Sequence, residues 1–227
     1  MTSNDLFHFG HVIAFALILG VDLPAYYAAK LVSGENTAPE LRLIAARVVR
    51  WSNVVSSGAL ILLMGLGVQI AVDLGVYRVT QDIAMTITWT IILVWFAVWL
   101  ASEILGTSAL GNRLYTIEVW VRVLIGLGNV YDAIVGFMGT GLIETNWLAL
   151  KVMLLGLVLI VSGVARVRLR PVREALGRIN PLSAQWRNWD MVTGNTVAAA
   201  LKRARPMVHM TLLMVLIAAW MGINKSW

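Results

Sequence analysis

Six stretches of this chain stay apolar for about twenty residues each, and nothing else in the sequence restricts the fold as much. About 20 helical residues cross the hydrocarbon core of a bilayer. Within lipid only a helix or a closed barrel satisfies the backbone polar groups. The stretches are Phe7–Ala29, Val48–Val72, Ile83–Leu105, Ile117–Leu142, Trp147–Val167 and Pro206–Ile223. With 59% hydrophobic and 13% charged residues, the 227-residue chain reads as one integral membrane domain, 1–227, folded as an all-α polytopic bundle. The fourth stretch is the least regular: its glycines and polar residues allow it to be broken or re-entrant.

The net charge of +6 sits in short connections between the apolar runs, which points to membrane orientation and away from nucleic acid. Arg166 to Arg205 alone hold nine Lys/Arg against Glu174 and Asp190. With six crossings, this segment and the basic flanks of the first connection fall on one side. The expectation is a protein of the cell inner membrane with both termini on the non-cytoplasmic side. The loop 168–205 would be a basic cytoplasmic hairpin between the last two spans. Within it, Pro171 and Pro181 bracket a short helical stretch, Val172–Arg178. Trp186, Trp189 and Thr196–Ala204 suggest an amphipathic helix on the membrane surface; an ordered hairpin capping the bundle is the alternative. There is no cysteine, which excludes disulfides, thiolate metal sites and cysteine nucleophiles. The N-terminus lacks a basic region and a cleavage site, so it reads as a retained first helix.

The fourth stretch carries Glu118, Arg122, Asn129 and Asp132 at spacings of four, seven and three, which puts them on one helical face. A charged stripe on a membrane helix faces protein or water, so the other spans must offer partners. At a rise of about 1.5 Å per residue, His8, His11, Lys151 and Asp132 fall towards the outer side. Asp22, Arg47, Arg50, Glu103, Glu118, Arg122 and His209 lie deeper or towards the inner side. The Glu118–Arg122 pair suits a structural i,i+4 bridge.

His8 and His11 share a face, and each reads either as an interfacial residue bonded to water or a carbonyl, or as an axial haem ligand. His209 would lie about 20 Å from His11 in depth, too far for the two to ligate one iron. Lys151 is costly in lipid, so it either snorkels, pairs with Asp132, donates a proton or holds a tetrapyrrole carboxylate.

Several short motifs carry a resemblance. His11 is followed nine residues on by Gly20 and then by Pro24-Ala-Tyr-Tyr27; Trp147-Leu-Ala-Leu-Lys151 opens a later span; Val130-Tyr-Asp132 precedes it; Arg47 and Arg50 enter the second. This arrangement resembles the membrane family of HemJ-type protoporphyrinogen oxidases and CopD-like proteins over about two-thirds of the chain. The resemblance implies a b-type haem or porphyrin held by a first-helix histidine, with a functional membrane lysine. Carried over by position, His11 is the axial metal ligand, His8 its competitor and Lys151 the second key residue. The chain departs from the pattern in its larger number of spans, its long basic loop and its acidic Asp22, which bears on whether the oxidase reaction itself is shared.

The leading expectation is therefore a haem b or porphyrin-binding protein of membrane redox chemistry. His11, His8 and Arg122 would bind the cofactor, and Lys151 and Asp132 would act as catalytic proton partners. The polar stripe also admits a proton- or ion-coupled transporter. The glycine-rich fourth span admits a non-catalytic accessory subunit, packed in a homo-oligomer or a larger membrane complex.

Overall fold

The computed structural model describes residues 3–34, 37–78, 81–177 and 191–223. Six helices follow one another: α1 (Ser3–Ser33), α2 (Pro39–Asp73), α3 (Gln81–Ile104), α4 (Ala109–Phe137), α5 (Asn146–Gly177) and α6 (Met191–Ile223). All six are long and apolar enough to cross a membrane, so the chain is a helical bundle of the integral-membrane type. Among the described residues the extended backbone is limited to an isolated antiparallel bridge between Tyr77 and Ile143.

Local chemistry fixes the helix ends. Pro39 occupies the first turn of α2, where a backbone N–H has no intrahelical partner to lose. The Ser108 side chain caps α4 by accepting from the Gly111 N–H at 3.0 Å. Gly106, at a φ of 55°, provides the left-handed residue that reverses the chain between α3 and α4.

Two expectations about boundaries are corrected. Helix α4 is continuous, not broken, and stops at Phe137, with Met138 and Gly139 forming a turn. Neither Pro171 nor Pro206 ends a helix. Helix α5 runs through the first to Gly177, and α6 runs through the second from Met191. Thr196–Ala204 is therefore the first half of α6, not a separate surface helix. The reason is burial: Val172 and Leu176 of α5 and Val197, Ala200, Leu201 and Ala204 of α6 pack with Ala28, Val32, Leu43, Ala46 and Val49. An internal proline removes one helical hydrogen bond and strains one turn. Burying six apolar side chains outweighs that. The extensions form a helical hairpin that caps the α1–α2 end of the bundle. Arg178, Pro181, Trp186 and Trp189 lie outside the described residues.

The bundle has two ends. Near one lie the start of α1 with His8 and His11, the start of α5 with Lys151, and the end of α6, where a Cβ on Gly222 would stand 2.9 Å from Lys151 Nζ. The other end carries the basic extensions. Between them lies an apolar layer of Ala14, Ile18, Leu60, Ile61, Ile92, Val158 and Leu159.

Candidate functional site

The most extensively bonded charged cluster lies in the basic half and is built on the stripe of α4. Glu118 and Arg122 are fully buried. The Arg122 guanidinium grips Glu118 Oε1 through Nε at 2.9 Å and Nη2 at 2.6 Å, and its Nη1 donates to Ser162 Oγ at 3.1 Å. The other carboxylate oxygen, Oε2, faces Arg166 Nε of α5 at 2.9 Å. Arg166 is also buried. It donates to Glu103 Oε1 of α3 at 2.8 Å and to Ser57 Oγ of α2 at 3.1 Å. The Tyr115 hydroxyl donates to the Arg166 backbone oxygen at 2.6 Å, and its ring lies 4.6 Å from the Arg166 guanidinium.

Two carboxylates and two guanidiniums thus alternate across α3, α4 and α5. Their charges balance, so none stands unpaired in a medium where an isolated ion costs several kcal/mol. Such a network holds helices in register; it offers no free carboxylate for proton exchange. Arg173, one layer towards the basic end, donates to the Ser102 oxygen at 2.8 Å, to Asn112 Oδ1 at 2.8 Å and to the Gly106 oxygen. It thereby ties α5 to the α3–α4 turn.

Asp22 stands beside this network and outside it. Its Oδ2 accepts from Ser56 Oγ at 3.3 Å, and none of the ion pairs among the described residues includes it. It lines a cavity of about 50 Å³ with Asn53, Ser57, Arg122, Ser162 and Thr211. That volume and those hydroxyls suit one or a few ordered waters. A smaller cavity of about 20 Å³ lies against Arg50, Asn53, Glu103, Tyr115 and Arg173.

At the other end, the structure brings His11, His8 and Lys151 together. His8 is exposed, while His11 and Lys151 are half-buried. Both His8 and Lys151 are near enough to act on the charge of His11, whose ring also meets the Leu63 carbonyl. Lys151 Nζ lies 5.7 Å from the Trp147 ring. His11 Nδ1 is buried without a hydrogen-bond partner. An imidazole that gives one N–H to a carbonyl keeps a lone pair on its other nitrogen, which is what haem iron asks of an axial ligand. The donor therefore fits a haem, with one steric condition. The ring packs on Gly67, where a Cβ would stand 3.4 Å from His11 Cε1, so iron reaches Nδ1 only if the ring swings out or α1 parts from α2. Among the described residues no three His, Asp or Glu side chains converge as a metal site of their own.

Asp132 lies near the same end of the bundle, where Tyr77 donates its hydroxyl to Oδ2 at 2.8 Å. Tyr77 belongs to the α2–α3 connection, which is stitched to the α4–α5 connection by Arg78 N–H to the Leu142 oxygen at 2.7 Å and Glu144 N–H to the Val76 oxygen at 3.2 Å. Burial, and then the Asp132 carboxylate, push the Tyr77 phenol above its usual range.

The structure separates the stripe by role. Arg122, expected at the cofactor, is committed to Glu118 and to Ser162, eleven residues beyond Lys151 on α5 and so about 16 Å further along it. His209 lies against Tyr26 at 5.1 Å between ring centroids, fifteen residues along α1 from His11, in keeping with the depth argument. Sequence reasoning missed Arg166 and Arg173 as buried partners, and Tyr77. Arg166 did carry a signal: it ends an apolar run, at the level where the stripe needs a cation. Compared with family models, with curated proteins and with solved structures, the chain matches none.

Proposed function

We propose that the chain is an integral membrane protein that binds a haem b or porphyrin at its histidine end and supports membrane redox chemistry. One observation carries this reading: the buried, unpartnered Nδ1 of His11 beside the Lys151 ammonium. A haem held there would supply the electron transfer. The Leu63 carbonyl sets the tautomer of His11. Lys151 offers a positive charge to a tetrapyrrole carboxylate, and Trp147 shields that lysine. Asp132 and Lys151 are the proton partners. By the positive-inside rule the basic end faces the cytoplasm of the inner membrane and both termini face outward.

The test is the absorption spectrum of the protein purified from its native membrane. The expected result is a Soret band that His11→Ala abolishes and that His8→Ala leaves in place. A colourless protein, or a band indifferent to His11→Ala, overturns the reading. A colourless protein that co-purifies at fixed stoichiometry with other membrane proteins is an accessory subunit instead.

A second reading, proton- or ion-coupled transport, is favoured by the polar cavity at Asp22. The apolar layer of Ile18, Leu60 and Leu159 lies between that cavity and His11, so a path through the bundle would require the layer to open. Liposome flux abolished by Asp22→Asn and untouched by His11→Ala would select this reading.

A further inference from the structure

Three basic side chains converge on one tyrosine near the basic end. Lys30 Nζ lies 4.6 Å from the centre of the Tyr26 ring and 5.6 Å from that of Tyr27. The Arg205 guanidinium of α6 lies 5.6 Å from the Tyr26 ring, and the His209 ring lies 5.1 Å from it. Among the described residues no carboxylate pairs with Lys30, Arg205 or His209. Two cations beside one ring gain cation–π attraction but repel each other, so the cluster is short of an anion.

Its height narrows the choice of anion. In the sequence the apolar run of α1 ends at Ala29, just before Lys30, and that of α6 begins at Pro206, just after Arg205, which puts the cluster at the edge of the apolar stretches. Lys30 and His209 are exposed, and Tyr27 keeps 64% of its surface, so the cluster opens outward between α1 and α6. Tyrosine and snorkelling basic side chains at that height meet phospholipid headgroups.

We propose that Lys30, Arg205 and His209, arranged on Tyr26 between α1 and α6, bind a phosphate-bearing anion, the headgroup of an anionic phospholipid. The phosphate oxygens take the N–H donors of Lys30 and Arg205, the acyl chains lie along the exposed apolar faces of α1 and α6, and Tyr26 supports the cations from beneath. The site is independent of His11 and of any haem.

The test uses the full chain reconstituted with spin-labelled phosphatidylglycerol or phosphatidylcholine. The wild type should select phosphatidylglycerol, and Lys30→Gln and Arg205→Gln should each lower the selectivity roughly five-fold, the usual worth of one basic residue near an anionic surface. The control pair Lys202→Gln and Arg203→Gln, exposed one turn before Pro206, removes the same charge and should leave most of the selectivity. Lys30→Arg should retain it, which separates loss of the site from loss of the fold. Equal losses in both pairs would mean a diffuse surface field and overturn the proposal. So would displacement of the labelled lipid by inorganic phosphate at an ionic strength where chloride has no effect, since the ligand would then be a soluble phosphate.

Discussion

The backbone oxygen of Gly156 on α5 lies 2.8 Å from where a Gly126 side chain would begin on α4, and the Gly126 oxygen lies 2.6 Å from the matching point on Gly156. Each glycine makes room for the other helix's backbone, which is how membrane helices without a hydrophobic driving force between them pack closely. The contact also sets the charged network. Glu118 stands eight residues before Gly126 and Arg166 ten residues after Gly156, so on antiparallel helices they reach one level, about 12 to 15 Å from the crossing. Gly126→Leu or Gly156→Leu should destabilise the protein by about 1–3 kcal/mol or more, the usual cost of overpacking. The double variant should cost less than the two single costs combined, because both act on one contact. Thermal unfolding in detergent measures both. Full additivity would show that the glycines do not share a crossing.

Glu118 is the hinge of the network because each of its oxygens serves a different arginine. Glu118→Gln leaves Arg122 with Ser162 and Arg166 with Glu103, and one positive charge in excess. Breaking a buried pair from one side typically costs about 3–5 kcal/mol. Glu103→Gln should cost less, because Arg166 keeps Glu118 and Glu103 is nearer the surface, 10% exposed in its side chain. Adding Arg122→Met to Glu118→Gln should recover part of the loss by restoring the charge balance. The ordering Glu118→Gln, then the double variant, then Glu103→Gln is what unfolding in detergent should return. A Glu118→Gln variant as stable as Glu103→Gln would contradict it.

Asp22 should behave in the opposite way. Its carboxylate has the Ser56 hydroxyl and a cavity beside it, and no ion pair among the described residues. Burying a charge without a partner is unfavourable, and Asn keeps the oxygen that Ser56 donates to. Asp22→Asn should therefore cost under about 0.5 kcal/mol or stabilise the bundle, within the range of a substitution that breaks no network. A loss comparable to that of Glu118→Gln would mean that the carboxylate is held by a cation after all.

The contrast between these two carboxylates bears on what a sequence reveals. The six crossings were legible because lipid enforces long apolar helices. The Glu118–Arg122 bridge was legible because a spacing of four is a local fact. Arg166 was not: read along the chain, it is the first of nine cations in a loop, and only the crossing at Gly126 and Gly156 turns it inward. The extents of α5 and α6 were hidden for the same reason. Pro171 and Pro206 are local stop signals, while the packing of Leu176 against Val197 and Leu201 is tertiary. The nearness of His11, His8 and Lys151 followed from counting depth along two helices, α1 and α5. The partner of Asp132 did not, since Tyr77 lies in a connection whose path is set by its bridge to Ile143.

That tyrosine yields the clearest pH dependence. Burial and the neighbouring Asp132 carboxylate raise the Tyr77 phenol above its ordinary value of 10.0, so the folded state holds the proton more tightly than the unfolded state does. The contribution is complete below the unfolded value. It is lost as pH rises through the window above 10, where the unfolded phenol ionises first. The hydroxyl-to-carboxylate bond at 2.8 Å should contribute about 1 kcal/mol at neutral pH, a modest figure for a half-buried group. Tyr77→Phe should remove it, loosening the α2–α3 connection where it meets α4. The variant should also flatten the alkaline limb of a stability profile taken from pH 7 upwards. Asp132→Asn should weaken the same bond and shorten the alkaline limb from its high-pH end, since a neutral amide oxygen still accepts from the hydroxyl but no longer opposes ionisation of the phenol. An alkaline limb identical in wild type and Tyr77→Phe would show that the phenol is exposed to water in the membrane-bound protein.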